Sequence, residues 1–450
     1  MNGTHGFGRR GFLQTAVVGV GATAVVAACS RDTSSATTAE PPYASIPVLQ
    51  PGQGDRSGDH YLSSLPDQVL WGYVPTVHAT PVLRMRSGQT VTIDALSHEG
   101  ILEDQGRDPV EYFGGLGVSE ADVLDDAKAI AAEYNRTPRN FAKDGPHVVT
   151  GPIFVEGAEP GDVLKIETLE TIPRVPYGVV SSRHGKGALG MTADKAAPAG
   201  ISLAEVMPPP DTDGRSDPDP TKWGDVSVFT PVEQGRGVMP VGAGGSVRFP
   251  LNPFMGMMGV AFARDESLNA PNANSIPPTL GGGNIDIKLL GAGSTFYLPV
   301  FAPGALFYVG DPHMAMGDGE VALTAMEGSM RGTFRLTVCK PGSGDAPSVA
   351  YRYPFAETEQ AWIPIGLSDP DGAVGGQDGG GRVQRVSRHP STLSCPPGRE
   401  PGYPQGISGR EARPGCRGPR RLSGCRARGR RSPLRERCPF RWCRRRSCGR

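Results

Sequence analysis

The stretch GDPHMAMGDGE, residues 310–320, sets Asp311 two residues before His313 and Asp318 two residues before Glu320, directly after the apolar run FYVG. On an extended chain, side chains two apart lie on one face. Each pair can therefore look into one space, and the intervening MAMG can turn the chain so that both pairs meet. Carboxylates joined by one or two imidazoles are hard-to-borderline donors that suit Zn, Mn, Mg or Ca. A cation so held lowers the pKa of bound water toward neutrality and polarises a carbonyl, while a spare carboxylate can take the water's proton and pass it to a leaving amine. The bland alternative is an acidic hairpin tip whose carboxylates cap turns and meet solvent. Upstream, GGGNIDIK places Asp286 after three glycines that permit close backbone approach. IDALSHEG places His98 just beyond a predicted strand, with Asp94 before it and Glu99 beside it. Histidine is scarce: between the leader and the C-terminal region there are only His60, His78, His98, His147, His184 and His313.

Other hydrolytic constellations are missing. The sequence has no G-x-S-x-G elbow, no phosphate-binding loop, no dinucleotide fingerprint and no H-E-x-x-H. A cysteine nucleophile would have to be Cys339, which ends a predicted strand and reads as core.

The elements that must position these groups are short and mostly extended. SGQTVTIDAL (87–96), EPGDVLKIETLE (159–170), GGSVRFPL (244–251), GGNIDIKLLG (282–291), GSTFYLPV (293–300) and GTFRLTV (332–338) each begin at or near a Gly turn and continue with β-branched or aromatic residues, often at period two, as half-buried strands do. One helix is predicted over SEADVLDDAKAIAAEY (119–134), with Ser119 as cap and an apolar stripe from Val123 to Tyr134. The pattern predicts a mainly β (α+β) body with few helices, over residues 59–375.

The ends differ from the body. Arg9–Arg10 followed by Phe12 and Leu13 resembles a twin-arginine export signal, and the apolar run after it ends in VAAC, which resembles a lipobox with Cys29 as the lipidated residue. Residues 1–29 are read as this leader and 30–58 as a flexible tether. The expected location is a membrane-anchored, periplasmic or extracellular one, with a lipid anchor. The formal charge of zero hides an asymmetry: from residue 381 onward 20 arginines face three acidic residues, leaving a net charge of −17 on the rest. An acidic body predicts no nucleic-acid partner. Residues 376–450 also hold six of the eight cysteines, at no zinc-site spacing. Arg, Gly, Pro and Ala have GC-rich codons, so this region reads as a frameshifted, disordered tail.

Four blocks carry a family resemblance: residues 70–100 (LWGYVPTVHATP… to SHEG), VVTGPIFVEGAEPGDVLKIE (148–167), residues 281–320 and WIPIGLS (362–368). They resemble the acetamidase/formamidase family. The resemblance implies a β-rich fold with a CUB-like sandwich, hydrolysis of a small aliphatic amide to carboxylate and ammonia, and a homo-oligomer. Carried over by position, Glu320, Asp318 and His313 are the catalytic candidates, with Glu320 as general base. Gly283 and Asn284 are the substrate-binding candidates. Asp286, Asp311, His313 and His98 are the candidate ligands of a divalent metal, Zn or similar, and no organic cofactor is expected. The C-terminal region departs from the family pattern, so inactivation by that lesion is also expected as an outcome. The rivals are a non-catalytic lipoprotein that binds a small polar ligand, and a non-functional gene product.

Overall fold

A computed structural model describes residues 43, 45–141, 143–183, 226–241, 244–262, 272–321 and 323–366. The leader with Cys29, the first part of the tether, His184 and the tail from residue 376 lie outside the described residues.

As the alternating runs predict, the body is built of strands. One sheet has seven, in the order His60–Leu62, Thr90–Ala95, Met330–Cys339, Val163–Pro173, Thr295–Pro299, Phe355–Glu357 and Trp362–Pro364. The second has eleven. Its path runs Gly245–Pro250, Arg236–Val241, Val226–Glu233, Tyr177–Ser182, Met326–Glu327, Phe307–Ala315, Phe254–Gly259, Gly282–Asn284. Strand Val148–Glu156 also pairs with Phe307–Ala315 and carries Val69–Trp71 and Leu83–Arg86. The apolar faces of the two sheets share one core, in which Val91, Ile93, Ile153, Val309 and Leu336 are fully buried. Phe307 of one sheet meets Phe334 of the other edge-on, ring centroids 5.9 Å apart. Cys339 is buried and reduced in this layer, as core rather than nucleophile.

Three expectations need correction. The helix predicted over 119–134 is split: Glu120–Asp122 forms one 3-10 turn, Val123 and Leu124 are extended and buried, and the α-helix proper is Asp125–Glu133. Ser119 Oγ donates to Asp122 Oδ2 at 2.6 Å, which closes the short turn and lets the two apolar residues drop into the core. Asp318 and the Glu320 that follows it do not lie on a second strand, as their alternation would require; the chain turns at Asp318–Gly319, and the next strand among the described residues is Met326–Glu327. The body also begins before residue 59, because Leu49 N donates to Arg174 O at 2.8 Å and Gln50 Nε2 to Val123 O at 3.1 Å.

A buried ion network ties the elements that flank the cleft. Arg331 grips Asp94 with two bonds, Nε to Oδ1 at 2.6 Å and an Nη to Oδ2 at 3.1 Å. Arg174 grips Asp126 likewise, at 2.7 and 3.2 Å, and Tyr61 adds its hydroxyl to Asp94 at 2.6 Å. Bidentate guanidinium–carboxylate pairing is the geometry in which buried charges compensate one another. Asp94 lies four residues before His98 and Arg331 four after Glu327, so the network fixes the roots of both segments.

Candidate active site

The strand Phe307–Ala315 is buried along its whole length, and its Asp311 lines a cleft. Its neighbours fix what faces it. Phe254 pairs with His313 on one side, Glu327 pairs with His313 on the other, and Val149 pairs with Gly310. Glu327, and His147 from far back in the sequence, thereby arrive beside the Asp311–His313 pair.

Asp311 is the centre. Three of the five described histidines surround it: His98 Nδ1 lies 3.7 Å from Oδ1, His147 Nε2 lies 3.7 Å from Oδ2, and His313 Nε2 lies 3.2 Å from Oδ2. Burial opposes ionisation of Asp311, but the His147, His313 and His98 imidazoles outweigh it and hold the carboxyl well below the usual carboxylate range. The His98 pKa is also lowered, but by burial. Burial lowers it to about 4 in spite of Asp311, so it stands as a neutral imidazole with a lone pair to offer.

His313 Nε2 carries the most telling geometry. Carboxylate oxygens lie 3.1 Å away at Glu327, 3.2 Å at Asp311 and 3.7 Å at Glu320. One nitrogen can donate one hydrogen bond, so at most one of the three acids is served by it. Burial raises the Glu327 carboxyl to about 8, with Asp311 and Glu99 adding to the effect and His313 opposing it. Burial opposes charge on His313 too, yet Glu327 and Asp311 raise it well above its ordinary value. With Asp311 held ionised, the imidazolium answers to that anion and Glu327 keeps its proton.

Backbone geometry shows how tightly this is built. Asp286, Asp311 and Glu320 all take positive φ, at 47°, 52° and 44°. Such angles are uncommon for residues other than glycine and cost roughly 1–3 kcal/mol each, a strain that clusters at functional sites. Gly256, on the strand next to Phe307–Ala315, has room for no side chain. A Cβ there would lie 2.6 Å from His313 Cε1 and 2.8 Å from Asp286 Oδ1. Its carbonyl accepts the main-chain N–H of Asp286 at 3.0 Å and so draws that aspartate toward His313.

Two donor groups result, His98–Asp311–Glu327 and Asp286–His313–Glu320, each with ligand atoms within 4.8 Å of one another. Neutral or deprotonable imidazoles beside buried carboxylates, including a Glu327 Oε2 that accepts no hydrogen bond, match the donor chemistry of a divalent cation. His98, His147, Asp311, Glu320 and Glu327 open onto a cavity of about 230 Å3.

The predicted residues thus divide. His98, Asp286, Asp311, His313 and Glu320 come together. Asp318 does not: it is exposed and pairs with Lys288 Nζ at 2.9 Å, because the turn at Gly317–Gly319 points it outward while Glu320 turns in. Gly283 and Asn284 pair with Met258 and Met257, and Asn284 Nδ2 donates to Ile276 O at 2.9 Å, so they brace the cleft wall instead of lining it. His147 and Glu327 were not singled out from sequence. The available signals were the scarcity of histidine and a glutamate three residues before the strand that begins MRGTFRLTV.

A mainly β body with a buried carboxylate–imidazole centre is the class that fold and site define. Residues 250–348 match the Acetamidase/Formamidase family, which bears out the resemblance read from the sequence and assigns this segment to that family. A Schizosaccharomyces pombe protein named for formamidase activity is 30% identical over 231 residues, 44% of this chain and 53% of the relative. An acetamidase of Mycolicibacterium smegmatis is 28% identical over 39% of this chain and 49% of its own. The chain therefore spans about half the length of the curated relatives it matches. Among solved structures, an acetamidase from Bacillus halodurans superposes with a TM-score of 0.46 at 23% identity, covering 69% of this chain and 79% of the other.

Proposed function

We propose that the chain hydrolyses a carboxamide to carboxylate and ammonia at the cleft lined by Asp311, with His313 buried directly behind it. The observation that carries this reading is the convergence of Glu327, Asp311 and Glu320 on the single Nε2 of His313. Similarity to amide hydrolases supports it.

Asp286, His313, Asp311 and His98 would hold a divalent cation, which when bound supplies Lewis acidity toward a carbonyl and acidifies water. Glu320, on the cleft face, takes the proton from the attacking water. The hydroxyl adds to the carbonyl carbon, and the C–N bond breaks as the nitrogen is protonated. Glu327 is the proton source: with its carboxyl at about 8 it holds a proton at neutral pH. Burial of these groups excludes bulk water, which strengthens each of these charge interactions.

We also propose, from Arg9–Arg10 and the VAAC ending at Cys29, that the chain is exported and lipid-anchored. Release of ammonia from formamide, acetamide or a longer amide by the purified full chain, and its loss with chelator, tests the catalytic reading. A folded protein that releases none from any linear amide overturns it.

A further inference from the structure

The cleft is larger and more apolar than a formamide or acetamide requires. A water's share of liquid volume is about 30 Å3, so a cavity of about 230 Å3 has room for on the order of eight such groups. A small amide would occupy only a fraction of it. Leu102, Phe141, Pro146, Ile276 and Leu323 give the cavity an apolar side; of the charged residues beside them, Lys143 is exposed and Asp144 is held by the Tyr73 hydroxyl at 2.8 Å and faces Arg139. Ile276 is 45% exposed in spite of its aliphatic side chain. Arg183 also lines the space, but Asp104 grips it with two bonds at 2.6 and 3.2 Å, so its charge is already answered.

The wall is held in place before any ligand arrives. Ile276 N donates to Asn274 Oδ1 at 2.9 Å and Ile276 O accepts from Asn284 Nδ2 at 2.9 Å. The preceding residue, Ser275, donates N to Gly72 O at 3.0 Å and its Oγ meets His147 Nδ1 at 2.8 Å. One pinned loop therefore orients an imidazole of the cleft and presents an apolar side chain to the cavity. Such preorganisation removes the ordering cost that a mobile wall would impose on binding.

We propose that this cleft takes carboxamides whose acyl group is an apolar chain or ring of about five to eight carbons, with Ile276 and Phe141 as the residues that select it. The proposal rests on the amidase reading for its reacting group, but the apolar recognition can be measured apart from turnover. Burying one methylene is worth about a fourfold gain in affinity. Ammonia release by the full chain should accordingly show kcat/KM rising by about fourfold per methylene from acetamide to hexanamide. Methyl ketones carry the carbonyl without a leaving nitrogen, and calorimetry with acetone, 2-pentanone and 2-heptanone should show the same progression. In Ile276→Ser the preference for 2-heptanone over acetone should fall by about tenfold or more. Ketone affinity that climbs with chain length, with no ammonia from any amide, would sink the amidase reading and leave the apolar subsite standing. A kcat/KM that peaks at formamide or acetamide, or ketone affinity flat with chain length, would overturn the proposal.

Discussion

Gly256→Ala places one methyl group at the meeting point of the two donor groups. The added Cβ would lie 2.6 Å from His313 Cε1, 2.8 Å from Asp286 Oδ1 and 2.9 Å from the main-chain oxygen of Asp311, where ordinary contact begins at 3.4 Å. Each neighbour must retreat by roughly 0.5–1 Å to restore van der Waals distance. The backbone oxygen belongs to a strand paired on both sides, so the two side chains have to move. Overpacking of this kind costs about 1–3 kcal/mol in stability, which a body with a shared core of this size should survive. A displacement of about 1 Å at a reacting centre costs on the order of 10²-fold in rate. The expected result is a folded variant, judged by circular dichroism and a cooperative melt, with kcat/KM for its best amide down by about 10²-fold or more. Gly317→Ala is the control: it sits in the neighbouring turn, and its Cβ would meet nothing within 4 Å. If Gly256→Ala turned over amide within threefold of the unsubstituted chain, the Asp286–His313 contact would have no part in the chemistry.

Three other outcomes follow from the same geometry. Cation binding must displace the proton held on His313 beside the Asp311 anion, so Zn2+ affinity should rise by about tenfold per pH unit between pH 6 and 7.5, with protons released in calorimetry; a pH-independent affinity would remove His313 as a ligand. Arg331→Met leaves Asp94 charged and buried without its bidentate partner, so urea unfolding should show a loss of about 3–5 kcal/mol, and a loss under 1 kcal/mol would mean that the pair is not holding the cleft segments. Asp318→Asn breaks only an exposed pair with Lys288, so stability should change by less than about 1 kcal/mol and turnover by less than threefold; a large loss of turnover would return Asp318 to the site.

The local part of this protein was legible in its sequence. Most period-two runs bounded by Gly turns read correctly as strands, although GGNIDIKLLG is a strand only over Gly282–Asn284, and the GDPHMAMGDGE motif named Asp311, His313 and Glu320 because alternation on one strand is a local rule. The same rule misplaced Asp318, since positive φ at Glu320 and a turn over Gly317–Gly319 broke the alternation where a second strand was expected. His147 and Glu327 escaped notice for a different reason. They reach the site through strand register, Val149 opposite Gly310 and Glu327 opposite His313, and pairing between strands, across more than a hundred residues for His147, leaves no periodic trace. The broken helix at Val123–Leu124 is likewise tertiary, since two apolar residues gain more by entering the core than by continuing a turn.

The most direct test of the central claim is ammonia release by the purified full chain and by its Glu320→Gln variant, read alongside thermal unfolding of both. The swap keeps the shape of a cleft residue and removes the proposed base. The account predicts amide-dependent ammonia from the unsubstituted chain, a fall of about 10²–10⁴-fold in the variant and closely matched melting curves. Equal ammonia release from both proteins would contradict it.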